Sequence, residues 1–494
     1  MKHHPDDSNN FGAPGAASRP PLIVDLDGTL TPTDTLIESV IQLVKQSPLN
    51  FLRLPLWIFR GRATLKHEVA SRTSISAENL PYHEPFLAYL RSERNDGRRI
   101  ILATAAHRAI AENVSAHLGL FDQVLATDEN HNLKGAAKLH AIQEAIGADF
   151  VYAGDSRADI PIWEAARAGV LVGVSPGIAA SIRQKIPIEQ EFSKEKIGLS
   201  LWLKAFRAHQ WLKNLLLFVP LFTAFSFFDG GKLSAILIAF IAFSLAASAT
   251  YIINDLLDLE SDRAHPRKKN RPFAAARIPI LKGLGVAISA LGVSLALAFA
   301  VSTGFLLVLL LYIALSSAYS WLLKEYVLLD VIVLSVLYTL RIFAGSVAVE
   351  IPISSWLLAF SVFVFLSLAL VKRCSDLVTL DQIGRDRTRG RDYRVTDLVV
   401  LWPLGVGASL SAVVVFGLFI TSPETLVRYN TPTLLWLVGI GLIYWLGRLW
   451  IKTSRGEMDD DPMIYAVANR GSRITIAVMA VTMLAAHYLT LGAF

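Results

Sequence analysis

From Leu201 to Phe494 the chain is dominated by apolar windows near 211–228, 233–253, 279–300, 303–322, 327–348, 354–371, 399–420, 432–450 and 474–494. About 20 apolar residues in a helix span the hydrocarbon core of a bilayer. Inside that core every backbone polar group must be paired within the protein, which helices of this length achieve. The pattern therefore predicts an all-α polytopic membrane domain of about nine transmembrane helices. Composition agrees: 53% of the 494 residues are hydrophobic and 18% charged, against roughly 25% charged in soluble proteins. A wholly soluble chain and a disordered one are both excluded. The one cysteine, Cys374, rules out an internal disulfide framework, and paired Cys/His spacing for zinc is missing.

Before residue 200 the pattern changes. Residues 1–20 are polar and rich in Gly, Pro and Asn, and read as a disordered tail with neither a secretory signal nor a membrane anchor. In residues 21–187, short buried runs (PLIVDLDG, RRIILATA, DQVLAT, DFVYAGD, GVLVGV) alternate with helical patterns. That alternation predicts a parallel, Rossmann-like α/β domain. A charged stretch, 188–200, reads as a linker to the membrane domain at 201–494.

Basic residues orient the membrane domain. The loops after the second, fourth, sixth and eighth windows (255–277, 321–326, 372–396, 448–473) carry 6, 1, 7 and 5 Lys or Arg, whereas the opposite loops carry only Lys232 and Arg428. This bias places the N-terminal domain and the charged loops in the cytoplasm, with the chain in the inner membrane. The small excess of 47 basic over 41 acidic residues is thereby located at a membrane face. Nucleic acid is not an expected partner.

The first buried strand ends in LIVDLDGTL, placing Asp25 and Asp27 at i and i+2 before a Gly-Thr turn. Two such carboxylates can approach one divalent cation, one as nucleophile and the other as acid and base. Later strand ends add Thr104, a candidate phosphate ligand, then Asp155 and Asp159 as further metal ligands. Between them Lys134 and Lys138, four apart on one helix face, are both candidates for the phosphate counter-charge. Together these segments resemble the haloacid dehalogenase (HAD) superfamily of aspartyl-phosphate phosphatases over about 21–185. The resemblance implies Asp25 as nucleophile, Asp27 as general acid/base, Thr104 as phosphate ligand, and a Mg2+ site supported by Asp155 and Asp159. It also implies a cap over the site at about 31–97. Within that cap, SPLNFLRLPLWIFRGR interleaves Leu, Trp and Phe with Arg, as either a buried helix or a segment lying on the bilayer.

The membrane domain has its own chemistry. After the second window comes YIINDLLDLESDRAHPRKKNRP, with Asn254, Asp255, Asp258 and Asp262 followed by Arg263, Lys268 and Arg271. Spacings of three and four predict one helical face for the three aspartates. Clustered carboxylates at a membrane boundary call for cations, and Mg2+ bridging to a diphosphate fits, with the basic residues on the phosphates. After the sixth window, VKRCSDLVTLDQIGRDRTRGRDYR presents Lys372, Arg373, Asp376, Asp381 and Asp386. The recurrence after four windows suggests two similar halves facing one site. Asp330 and Arg341, eleven apart in the fifth window, share a face and would line a cavity or make a structural contact.

The N-D-x-x-D-x-x-x-D motif and the second acidic loop resemble the UbiA superfamily of intramembrane prenyltransferases over about 201–494. Within it, QWLKNLLLFVP, NDLLDLESDRAHPRKKNRP, LYTLRIFAG and LVKR are similar to the polyprenyl-phosphate (decaprenyl-phosphate) phosphoribosyltransferases. The second loop reads D-x4-D, whereas aromatic prenyltransferases have D-x3-D. The resemblance implies Mg2+-dependent transfer of 5-phosphoribose from phosphoribosyl diphosphate to a polyprenyl phosphate, with Arg341, Lys372 or Arg373 steadying the lipid phosphate. The HAD-like domain would then remove the 5-phosphate. Two alternatives are an aromatic prenyltransferase using polyprenyl diphosphate and a non-catalytic lipid-binding scaffold.

Overall fold

A computed structural model describes residues 19–129, 131–194, 196–387, 391–458 and 461–490. Most of the expected N-terminal tail lies outside the described residues. The chain divides into two compact units, one of residues 1–205 and 253–285, the other of 206–252 and 286–494.

The first unit is built on the expected parallel sheet. Six strands, β1 (Leu22–Val24), β2 (Ile100–His107), β3 (Gln123–Thr127), β4 (Val151–Gly154), β5 (Ala168–Val172) and β6 (Ile188–Phe192), take the order β3-β2-β1-β4-β5-β6. β1 is central, with Val24 paired to Leu102 on one side and Ala153 on the other. Its three residues are fully buried, as a strand covered on both faces requires. Chain order reverses on either side of β1, so the carboxyl ends of β1, β2 and β4 open on one crevice, where such sheets bind ligands.

The stretch expected to be a linker supplies β6. Its glutamates face outward while Phe192 packs edge-on to Phe86 at 5.4 Å, a charged edge strand that resists further pairing. Arg98 ties it in through Glu189 at 2.9 Å.

The segment after β1 is helical. α1 (Thr35–Gln46) is capped by Asp34, whose side chain accepts from the Ile37 N–H. A 3-10 turn at Pro48–Arg53 leads into α2 (Leu54–Phe59), and α3 (Arg62–Ala70) follows. Leu43, Leu54, Trp57 and Val69 form their common core. The sequence 253–285 belongs to this unit. There the long helix Gly230–Leu257 ends, and a short helix, Leu259–Arg263, begins at Asp258.

Among the described residues, seven helices are long and apolar enough to cross a membrane: Gly230–Leu257, Ile280–Val301, Thr303–Trp321, Leu329–Val349, Ser355–Gln382, Val395–Ile420 and Pro432–Ser454. They mark a multi-pass membrane protein. The expected count of nine is corrected at the two ends of the domain. The first window winds as a 3-10 segment, Ala208–Phe218, and a five-residue helix, Val219–Thr223. Asn214 is buried there on Ser244, and Pro220 lacks the donor an unbroken helix needs. Gly345 admits this segment, since a Cβ on it would lie 2.0 Å from the Leu217 carbonyl oxygen. The last window forms Arg470–Tyr488, in which Arg470 and Arg473 begin the helix and lower its apolar character.

Candidate active sites

In the first unit, the β1 strand turns sharply at Asp25–Thr29. Gly28 makes the turn with φ +79°, and a Cβ on it would come within 2.2 Å of an Asp155 carboxylate oxygen. Only glycine combines that conformation with so close an approach. The turn brings β1 and β4 chemistry together: one carboxylate oxygen each from Asp25, Asp155 and Asp159 lie within 4.8 Å of one another. Among the described residues this is the one three-carboxylate set with metal-binding geometry. Three acidic oxygens converging beside a glycine cradle fit a divalent cation with open positions for phosphate oxygens.

Lys138, from the helix Ala136–Ile146, reaches this cluster. Its Nζ donates to Asp25 Oδ2 at 2.7 Å and to the Tyr152 hydroxyl at 3.0 Å, and stands 3.6 Å from Asp159. Tyr152 in turn donates to Asp159 at 2.8 Å. Sequence spacing leaves Lys134 and Lys138 equivalent. In the fold Lys138 is buried against the carboxylates, while Lys134 is exposed on the cavity rim.

Asp27 has a different environment. Its carboxylate accepts from the Thr35 N–H at 2.9 Å and stands outside the metal-binding set. Burial, with the nearby Asp34 charge, pushes its pKa up to about 8, so it carries a proton at neutral pH. Asp155 is raised to about 7, by burial and then by Asp159 and Asp25. Burial also raises Asp25, against the pull of Lys138. Burial works to lower the Lys138 pKa, but Asp25 and Asp159 overcome it and the ammonium is held. Thr104, within β2, is fully buried and accepts from the Ala106 N–H at 3.0 Å.

Asp25, Asp27, Lys138, Asp155 and Asp159 line a cavity of about 630 Å³, whereas Thr104, the expected phosphate ligand, is not among its lining residues. Its wall includes two features that sequence reading missed. Lys66 of α3 lines it, anchored to the Ala105 carbonyl and Asn132 at 2.6 and 2.7 Å. Ala276, Ile278, Pro279, Ile280 and Leu281 line it as well, leading directly into the apolar helix Ile280–Val301. No local pattern marks either, because both depend on tertiary packing.

The first acidic motif also lies in this unit, and it is split. Asp255 and Asp262 are buried and share one nitrogen of Arg271, at 3.1 and 2.7 Å. Lys268 stands 3.9 Å from Asp262. The expected single helical face breaks at residue 257, so Asp258 turns away and meets Lys45 of α1 at 2.8 Å. Arg263 is drawn to the same helix, forming a two-point ion pair with Glu38. Asn254 is half-buried beside the motif.

In the second unit, polar groups on the spanning helices form separate clusters. Asp330 is fully buried and accepts from Arg373 at 2.5 Å and Tyr319 at 2.9 Å. Arg373 also reaches Asp376 at 3.0 Å. Arg341 donates instead to Asn214 at 3.1 Å and to the Tyr312 hydroxyl at 3.0 Å, so Asp330 and Arg341 have different partners despite their shared helix. Lys372 is half-buried and Asp381 exposed. Lys213, paired with Asp461 at 2.6 Å and 5.6 Å from the Tyr338 ring centre, escaped the sequence reading. A lysine inside the first apolar window was the available signal, since such groups are costly without a role.

Comparison with known proteins gives two matches along the chain. Residues 22–164 match the haloacid dehalogenase-like hydrolases, and residues 216–490 match the UbiA prenyltransferase family. An uncharacterized protein of Sinorhizobium fredii is 40% identical over 467 residues, covering 93% of this chain and 90% of the relative. The nodulation protein NoeC of Azorhizobium caulinodans is 34% identical over 291 residues, 58% of this chain and 92% of NoeC. A decaprenyl-phosphate phosphoribosyltransferase of Mycobacterium tuberculosis is 37% identical over 215 residues, 42% of this chain and 70% of the relative. With more than half of its length matched at 216–490 and a HAD-like hydrolase domain ahead of that segment, the chain belongs to the UbiA prenyltransferase family of transferases.

Proposed function

We propose that the chain transfers 5-phosphoribose from phosphoribosyl diphosphate to a polyprenyl phosphate, and that its N-terminal domain then removes the 5-phosphate to leave a polyprenyl-phosphoryl ribose. The observation that carries the transferase reading is the 37% identity to the M. tuberculosis phosphoribosyltransferase. We assign the hydrolase to residues 21–187 together with the edge strand Ile188–Phe192, with its cap at about 31–97, and the transferase to 201–494. The charge bias of the loops supports a cytoplasmic face for both, in the inner membrane.

For transfer, Asp255 and Asp262 already share one positive charge from Arg271, a disposition that suits Mg2+ carrying a diphosphate. Bound there, Mg2+ would neutralise the leaving diphosphate. Lys268, 3.9 Å from Asp262, supplies further positive charge, and the aspartates favour the cationic character that grows on the ribose C1. The lipid phosphate oxygen attacks that carbon. In the second unit, taken by itself, Arg341, Lys372, Arg373, Asp376 and Asp381 are the candidates for substrate binding that the resemblance implies.

For hydrolysis, Asp25, Asp155 and Asp159 would hold Mg2+, which supplies charge neutralisation for the phosphoryl oxygens when bound. An Asp25 carboxylate oxygen attacks phosphorus and forms an aspartyl phosphate as the ribose oxygen leaves. Asp27, protonated at neutral pH, gives that oxygen its proton and then takes one from the water that cleaves the acyl phosphate. Lys138 balances the phosphate charge. A lipid-linked substrate is supported by the apolar cavity wall at 276–281.

Purified chain given labelled phosphoribosyl diphosphate, polyprenyl phosphate and Mg2+ should yield labelled lipid without the 5-phosphate. The Asp25→Asn variant should stop at the phosphorylated lipid. Prenylation of an aromatic acid, with no labelled lipid, would overturn the reading.

A further inference from the structure

The segment between α1 and α3 has two apolar sides. Leu54 and Trp57 face the core formed with Leu43 and Val69. The other side carries Leu49, Phe51, Leu52, Leu56, Ile58 and Phe59, which are 57–89% exposed. A short helix folded onto a soluble core has polar residues on its outer face. Six large apolar side chains within eleven residues are the reverse, and contiguous patches of this kind mark an interaction surface.

Charge identifies the occupant. No acidic residue occurs between Glu38 and Glu68, and Arg53 and Arg60, at either end of α2, are exposed. Outward apolar groups flanked by exposed arginines match a phospholipid surface, with acyl chains for the rings and anionic phosphates for the guanidinium groups. A protein partner is disfavoured because three of the six groups, Leu56, Ile58 and Phe59, are exposed on a helix of only six residues, too short to present a long docking face. The described residues already include seven helices fit to cross a bilayer, so a lipid surface is always at hand.

We propose that residues 49–60 are an interfacial element: Leu49, Phe51, Leu52, Leu56, Ile58 and Phe59 insert at the headgroup–acyl boundary, and Arg53 and Arg60 bind anionic headgroups. This holds whatever substrate the hydrolase takes, because it rests on the outer face of the cap and not on the cavity.

Cys374 is the chain's sole cysteine and is buried, so a Cys374→Ala background allows single-site labelling of the full chain in nanodiscs. An environment-sensitive dye at Phe59→Cys or Leu52→Cys should emit at shorter wavelength than one at His140→Cys, an exposed site. Doxyl-labelled lipid should quench the two cap sites and spare His140→Cys. Iodide should do the opposite. Adding Arg53→Glu and Arg60→Glu should at least halve the lipid quenching in nanodiscs containing phosphatidylglycerol. If iodide reaches the cap dyes as readily as the control, the element is in water and the proposal is wrong. Shielding from both quenchers would mean a protein partner and would overturn it equally. Unchanged quenching in the double arginine variant would remove the headgroup contact.

Discussion

Arg263 and Glu38 form a two-point ion pair, with N–O distances of 2.7 and 2.6 Å, and both side chains are at least nine-tenths buried. Glu38 belongs to α1 after the DLDGT turn, and Arg263 to the motif that follows the helix Gly230–Leu257. Gln42 and Lys45 extend the contact from the same face of α1, to Glu260 at 3.3 Å and Asp258 at 2.8 Å. Removing one partner from a buried ion pair typically costs about 3–5 kcal/mol, because the other charge is left uncompensated. Glu38→Gln should therefore lower the melting temperature of the full chain by several degrees. The Glu38→Gln, Arg263→Gln double variant should lose less than the sum of the singles. Additive losses in that cycle would mean that the pair contributes nothing of its own.

Gly28→Ala tests the crevice at the β1 end. The new methyl group would meet the Asp155 carboxylate at 2.2 Å, on a backbone with φ +79°. The carboxylate must move out of the set it forms with Asp25 and Asp159. Phosphate release should fall at least tenfold while formation of labelled lipid continues. Equal loss of both activities would point to a folding defect, which a thermal melt would register.

Proton competition should make Mg2+ binding at this site pH-dependent. Asp155 sits at about 7 without metal, and only its carboxylate form is a ligand. Below pH 7, affinity should weaken by roughly tenfold per unit for each proton displaced. Above it the dependence should flatten. The same shifts act on stability. A carboxyl whose folded pKa is raised stabilises the fold fully below its unfolded value near 3.8 and loses that contribution as pH climbs through the folded value. For Asp155 and Asp27 the window runs from about 4 to 7 and to 8. In chelator, the melting temperature should decline across it, and Mg2+ should restore most of the loss at pH 8. An Asp155→Asn protein with an unchanged Mg2+ profile would place the metal elsewhere.

Features set by neighbours along the chain were legible in the sequence. DLDGT fixes two carboxylates at a strand end through covalent spacing, and the buried runs name five of the six strands. Long-range pairing was not legible. Lys45 and Asp258 are 213 positions apart, and Lys213 and Asp461 are 248 apart; nothing local to either residue announces its partner. Lys134 and Lys138 read as one helix face with equal chemistry, but the helix Ala136–Ile146 starts after Lys134, and its packing beside the sheet takes Lys138 to Asp25. The motif Asp255–Asp262 reads as continuous helix because spacing carries no record of where a helix stops. The first apolar window is long enough to span, yet the buried Asn214–Ser244 bond and Pro220 break its winding.

Arg373 offers a choice between holding substrate and holding the fold. Its guanidinium lies against Asp330 at 2.5 and 3.1 Å, with side-chain exposures of 3% and 0%, and Tyr319 caps the pair. An ionised carboxylate with no access to solvent needs such a partner, and in a spanning helix the need is greater still. Asp330→Leu alone would strand the arginine, at a cost of about 3–5 kcal/mol. Replacing both groups, Asp330→Leu with Arg373→Met, removes the two charges together and should recover most of that loss, since a well-packed apolar pair is often as stable as the ion pair. Thermal melts in detergent would order the three proteins: wild type and double variant close together, single variant well below. Transfer activity then separates the roles. A double variant that is stable and still forms labelled lipid makes Arg373 a structural residue, leaving Lys372 and Arg341 to meet the lipid phosphate. A double variant that is equally stable but forms no labelled lipid assigns Arg373 to the substrate, with Asp330 orienting it.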